Sequence, residues 1–101
     1  MANGGTYDEG ETVRLGAIFK VGLVNTDPTT VTLRVKNPAG TITVSTYGGV
    51  APLDVLKSAT GIYYKDVLMN VEGTWWYRCE GTGTAAGAAE AFVKVKASRI
   101  I

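Results

Sequence analysis

The chain reads as an all-β protein, an antiparallel β-sandwich of six or seven short strands. Three observations lead there. Apolar residues recur with period two in most of the ordered-looking segments, turn signals interrupt them at short intervals, and no window of a dozen residues keeps helical spacing. Glycine supplies 13 of the 101 residues, more than a helical protein carries and well suited to turns. A chain of 101 residues, 46% of them hydrophobic, makes one domain with a real core rather than two.

The elements are taken in chain order. Residues 1–11, MANGGTYDEGE, read as a flexible or loosely docked N-terminal arm. In TVRLGAIFK, residues 12–20, Val13, Leu15 and Ala17 alternate, and a change of phase is expected near Ile18 and Phe19, with Gly16 tolerating a bulge. VGLVNTDPT is expected to be a loop, with Asp27-Pro28 starting a turn. TVTLRVKN is the cleanest strand: Val31, Leu33 and Val35 face one way and Thr32, Arg34 and Lys36 the other. NPAG at residues 37–40 then turns the chain, Pro38 fixing φ and Gly40 free to take a positive φ. The return strand TITVST should place Ile42 and Val44 inside, in a register that a one-residue slip would ruin.

YGGVAPLDVLKSAT holds a short edge strand, a helical turn around Leu53–Lys57, or both. IYYKDVLM, after Gly61, is a strand rich in aromatic and branched residues. Residues 70–73 turn, WWYRCEG is a strand, TGTAAG is a flexible hairpin loop, and AEAFVKVKA closes the domain with Val93 and Val95 inside and Lys94 and Lys96 outside.

Several function classes lose their support at this level. Ten basic and nine acidic residues leave a net charge of +1, and the cations are scattered singly, so no nucleic-acid footprint is present. The mildly basic end with Lys94, Lys96 and Arg99 alternates as a solvated strand face does. The N-terminus lacks the basic start and apolar run of a secretory signal, and no stretch is long enough to cross a membrane, so no membrane partner is expected. There is no histidine, which removes the commonest general base and metal ligand, and one cysteine builds neither a disulfide nor a thiolate cluster. Asp8, Glu9 and Glu11 lack the ligand spacing of a calcium loop and read as a solvated acidic lead-in. The glycines at 48, 49, 81, 83 and 87 are followed by no GKS or GKT and belong to turns. No enzyme, cofactor or metal site is expected.

The aromatic segment VEGTWWYRCEGTG, residues 71–83, is the one candidate surface. On a strand, Trp75, Tyr77 and Cys79 share a face and Thr74, Trp76, Arg78 and Glu80 share the other. A lone unoxidised cysteine is commonly buried, so the first face is the core candidate, and Cys79 has no histidine to activate it as a nucleophile. Trp76 either packs beneath the aliphatic stem of Arg78 or contacts a partner.

Taken together, YDEGETVRLGAIF, DPTTVTLRVKNPAG, TGIYYKDVLMNVEGTWWYRCEGTG and AEAFVKV resemble the small immunoglobulin-like proteins encoded among the structural genes of tailed bacteriophages. The resemblance runs from Tyr7 to Val95, and GTWWYR is also similar to the G-T-Y strand of filamin-like and bacterial immunoglobulin-like domains. It implies an immunoglobulin-like sandwich of about seven strands over residues 12–97, with the arm before it and a tail at 98–101. It further implies a non-enzymatic accessory component of a virion, assembled in the host cytoplasm: a capsid decoration or cement protein, or a part of the neck, tail or fibre. The implied partner is a capsid or other virion structural protein, or a second copy of the chain. Tyr7, Asp8, Trp76, Arg78, Arg99, Ile100 and Ile101 are the candidate contact residues. The other reading is a carbohydrate- or receptor-binding module in which Trp76, Tyr47 and Tyr63 or Tyr64 stack on sugar rings.

Overall fold

Alternation of β-branched and polar residues does what it should in water: each run extends, pairs with its neighbour and turns its apolar side inward. In the computed structural model of the protein, which describes residues 6–49 and 52–97, this yields ten strands and one short 3-10 turn at Gly83–Ala85. The strands are β1 (Thr6–Asp8), β2 (Thr12–Ile18), β3 (Lys20–Val21), β4 (Val24–Asn25), β5 (Val31–Lys36), β6 (Ile42–Tyr47), β7 (Leu56–Ala59), β8 (Ile62–Leu68), β9 (Gly73–Gly81) and β10 (Gly87–Lys96). One sheet has the order β1-β10-β9-β5-β6, a second the order β2-β8-β7, and β3 and β4 form a two-stranded hairpin. All pairings are antiparallel except β1 with β10, which run parallel.

The two larger sheets share a single apolar core. β5 gives it Val31, Leu33 and Val35; β9 gives Trp75, Tyr77 and Cys79; β10 gives Val93 and Val95; and the second sheet answers with Val13, Leu15, Ala17 and Tyr63. The Trp75 indole N–H donates to the Val71 carbonyl at 2.9 Å, so the large buried ring leaves no orphan donor. The Tyr63 hydroxyl donates to Asp27 Oδ1 at 3.0 Å, and the same carboxylate accepts from the Gly61 amide and from Lys57.

The NPAG turn forms as expected: Gly40 has φ +93° and donates to the Asn37 carbonyl, while Asn37 Oδ1 accepts from the Thr41 amide. Other expectations are corrected. The alternation in β2 does not change phase. Val13, Leu15, Ala17 and Phe19 are all buried, Ile18 is exposed, and the β2–β8 register is unbroken. Gly16 serves a close approach instead of a bulge: a Cβ there would lie 2.2 Å from the Tyr63 carbonyl oxygen, and Tyr64 covers the site from across the ladder. VGLVNTDPT is only partly a loop, because β3 and β4 pair around Gly22, whose φ of +62° fits a tight hairpin with glycine first.

Part of the expected N-terminal arm is docked. Thr6–Asp8 is the edge strand β1, paired with Lys94–Lys96. The stretch before Gly61 holds the edge strand β7 and, among the described residues, no helical turn. TGTAAG contains the 3-10 turn, with Ala85 buried.

The return strand β6 is the largest departure. Ile42 and Val44 face outward, and Ser45 is the residue buried opposite Leu33. β6 is an edge strand, and the core position beside it is filled by Val55 from the connection to β7, whose amide donates to the Thr46 carbonyl. Ser45 can sit inside because Lys65 donates to its hydroxyl at 2.9 Å and is itself held by Asp54 at 3.2 Å.

Candidate functional site: the outer face of the five-stranded sheet

Strand register assembles this face one row at a time. In one row Ile42 lies across from Lys36, Lys36 from Trp76, and Trp76 from Phe92. In the next, Val44, Arg34, Arg78 and Glu90 stand in the same order. Four strands from distant parts of the chain therefore lay apolar and cationic side chains side by side on the solvent face, where neighbours directly opposite come within contact of one another.

Trp76 and Phe92 pack with ring centroids 5.0 Å apart and planes tilted by 46°. That contact covers only part of the indole, since Trp76 remains 46% exposed, with Ile42 at 57% and Val44 at 40% beside it. Arg34, Lys36, Ile42, Trp76, Arg78 and Glu90 are among the residues lining a shallow depression of about 420 Å³. Arg34 contacts Glu80, and Arg78 reaches Glu80 at 3.5 Å and Glu90 at 3.3 Å. Lys36 has no partner among the described residues. Ion pairs this exposed contribute little to stability, so a partner that brings its own carboxylates can reorganise them at low cost.

Of the candidate contact residues, the fold brings Asp8, Trp76 and Arg78 onto this one face. Asp8 lies at its far edge, paired with Lys96 at 3.2 Å. Tyr7 alternates inward and packs against the core, so it is not part of the face. Arg99, Ile100 and Ile101 lie outside the described residues. Trp76 rests on Phe92 rather than beneath Arg78 and keeps about half its surface open.

Sequence reading missed Ile42, Val44, Arg34, Lys36 and Phe92 as members of the face. For Phe92 the signal was available, since it shares its phase with Lys94 and Lys96. For Ile42 and Val44 it was not, because only the pairing partner tells which side of an edge strand is wet.

The remaining chemistry is turned inward. Cys79 is buried 1% exposed beneath the same strand, and burial pushes its thiol up to about 11, away from the thiolate form that reacts. The Asp27 carboxyl is held below its usual range by Lys57 first, then by the Gly61 amide, and Tyr63 is pushed up to about 12 by burial and by Asp27. Ser45, Lys65 and Asp54 form a polar bridge between the sheets; with Ser45 1% exposed, its hydroxyl is closed to any substrate. No group of three or more metal-ligating side chains gathers among the described residues, and no helix there is long and apolar enough to cross a membrane.

No protein-family model matches the chain, and no curated protein sequence does either.

The aromatics of the sugar-stacking reading do not gather on one exposed surface with Trp76. Tyr63 is 2% exposed and edge-packed against Phe19 and Tyr47, while Tyr64 belongs to the other sheet and lies beneath the Arg14 guanidinium at 3.8 Å. Trp76 and Phe92 are the only two rings that share the outer face of the five-stranded sheet among the described residues.

Proposed function

We propose that this domain is a non-catalytic docking module and that it serves as an accessory component of a tailed-bacteriophage virion, foremost a decoration or cement protein on the capsid. The observation that carries the docking reading is the Trp76 face. A half-open tryptophan, two exposed aliphatic residues and a lysine unpartnered among the described residues share one sheet face, the kind of aromatic–arginine surface that anchors protein interfaces. The virion assignment rests on the sequence resemblance. A domain that folds without a disulfide, and carries its contact face on a rigid sheet, suits repeated attachment to a protein lattice.

The immunoglobulin-like assignment belongs to the same proposal. The order β10-β9-β5-β6 corresponds to the G-F-C-C′ order of a variable-type sheet, and β2-β8-β7 to the B-E-D order of its partner. Tyr77 two residues before a buried Cys79 on the F-equivalent strand adds to the correspondence. Leu15 and Ala17 on β2 face the core where a second cysteine would be needed for the antibody-type disulfide, so that bond is replaced by packing.

The test is made on purified virions. The protein should be present in a fixed, symmetric copy number, and Trp76→Ala should reduce its incorporation while leaving its melting temperature nearly unchanged. Absence of the protein from particles sinks the virion reading. Normal incorporation of Trp76→Ala with lost attachment to host glycans would move the face from lattice docking to host binding.

A further inference from the structure

A sheet edge presents unpaired amides and carbonyls, and folded proteins usually blunt it. Three edges here are blunted. β6 is covered at its Thr46 end by the connection to β7, the Thr46 amide donating to the Pro52 carbonyl and the Val55 amide to the Thr46 carbonyl. β7 is four residues long, carries Lys57 and breaks register between Lys57 and Ala59. β1 is three residues long and ends in the Asp8–Lys96 pair. β2 has none of these devices. It runs seven residues, contains no proline and no bulge, and among the described residues pairs only with β8.

Its free groups can be assigned. Met69 donates to the Glu11 carbonyl and Phe19 to the Gly61 carbonyl, which fixes the phase of the antiparallel ladder. Odd-numbered residues exchange bonds with β8, so the amides and carbonyls of Thr12, Arg14, Gly16 and Ile18 point to the open side. No described backbone group pairs with them. Arg14, the one charge that could guard the edge, is drawn back onto Tyr64 and Asp66, with Nε donating to Asp66 Oδ1 at 2.9 Å.

Beside this edge lies a groove between β2 and the first half of β10, whose side away from β9 has no strand partner among the described residues, since β1 pairs with Lys94–Lys96. One part, about 210 Å³, is lined by Gly16, Ala17, Ile18, Tyr77, Ala89, Glu90 and Ala91. It continues, over about 180 Å³, past Lys20 and the residues from Ala85 to Ala89. The lining is mostly glycine and alanine, so there is room for side chains that the described residues do not supply. Lys20 stands at one end, exposed and without a partner among the described residues.

We propose that the β2 edge accepts a single extended segment donated by a neighbouring protein subunit, as an added strand. Small or medium apolar residues at alternate positions of that segment enter the groove between Ala17 and Ala89, and an acidic residue meets Lys20. The groove argues against a second copy of this chain pairing β2 to β2, because the inward residues of that strand would already be committed to their own core. Backbone bonds supply affinity and the groove supplies selectivity for small side chains. This site shares Glu90 with the rim of the Trp76 face but does not rest on that face.

Amide exchange on the intact protein tests it, with synthetic octapeptides carrying Ala or Val at alternate positions, Thr between, and Asp at either end as the probe. The amides of Thr12, Arg14, Gly16 and Ile18 should exchange rapidly in the free protein and slow by about tenfold with millimolar peptide. Ala89→Arg, which fills the groove from an exposed position, and Ile18→Pro, which removes an outward N–H, should abolish the slowing. Exchange at the β9 amides reports that each variant is folded. Three results overturn the proposal. Slow exchange of these four amides at every dilution means that the chain's own residues close the edge. Slow exchange that disappears on dilution means that a second copy does. Rapid exchange unchanged by every peptide means that the edge takes no strand. A negative result with Trp76→Ala on virions would leave all of these outcomes readable.

Discussion

Trp75 and Trp76 are neighbours in the chain and end in different environments. Trp75 is 6% exposed, hydrogen-bonded to Val71 and packed in the core, whereas Trp76 lies on Phe92 with nearly half its surface in water. One residue of β pleat separates them. The inner face of β9 is committed to holding two sheets together, and the outer face is free to be selected for contact. Two adjacent tryptophans thus carry unequal weight for stability and for binding.

That contrast can be broken most directly at its buried member. Trp75→Ala should cost about 3–5 kcal/mol and leave little folded protein, measured by urea denaturation followed by near-ultraviolet circular dichroism. Retention of more than about half the wild-type stability would mean that the inner face is less committed than its burial implies. A second test asks whether the other sheet is as tightly fitted. Gly16→Ala puts a Cβ 2.2 Å from a backbone oxygen, which no side-chain rotation relieves, and should destabilise by about 1–3 kcal/mol in the same measurement.

The polar contacts should show as a pH dependence. The Asp27 carboxyl is depressed in the folded protein, chiefly by Lys57, so its contribution is fully present above the ordinary carboxylate pKa of about 4 and is lost as pH falls through the lower folded value. The melting-temperature gap between the wild type and Asp27→Asn should therefore be widest near neutrality and close on acidification. A gap that widened in acid would assign the role of Asp27 to something other than its charge. The smallest effect belongs to the outer face: Trp76→Ala should change stability by less than about 1 kcal/mol, because the residue is half-exposed and its truncation opens no cavity. A large loss there would make Trp76 structural and remove the main support for docking.

Much of the fold was legible because burial and period agree in the central strands. Val31, Leu33 and Val35 in β5, and Trp75, Tyr77 and Cys79 in β9, point where alternation alone puts them. The edges were not legible. In β6 the apolar residues face water, since Val55 fills the core beside it and Lys65 with Asp54 satisfies the inward Ser45, all from residues later in the chain. In β2, Ile18 and Phe19 looked like a break in phase although only Phe19 is inside. The candidate face was half-read for the same reason: Trp76 and Arg78 sit on a central strand, while Ile42 and Val44 join them only through a pairing that local sequence does not encode. The inward turn of Tyr7 was not legible either, because a three-residue edge strand is too short to announce itself.

The parallel pairing of β1 with β10 has a mechanical consequence. The chain enters β1 at Thr6 and leaves β10 at Lys96, so tension applied between those two points drags the strands past each other along their length. Bonds loaded in that direction share the force and must give together, whereas a hairpin pulled open loses them one at a time. The Glu9 amide bonded to the Lys96 carbonyl, and the Asp8–Lys96 pair, reinforce the end of that seam. A pull between Thr6 and Lys96 would thus load this seam in shear, the stiffer way to separate the two strands.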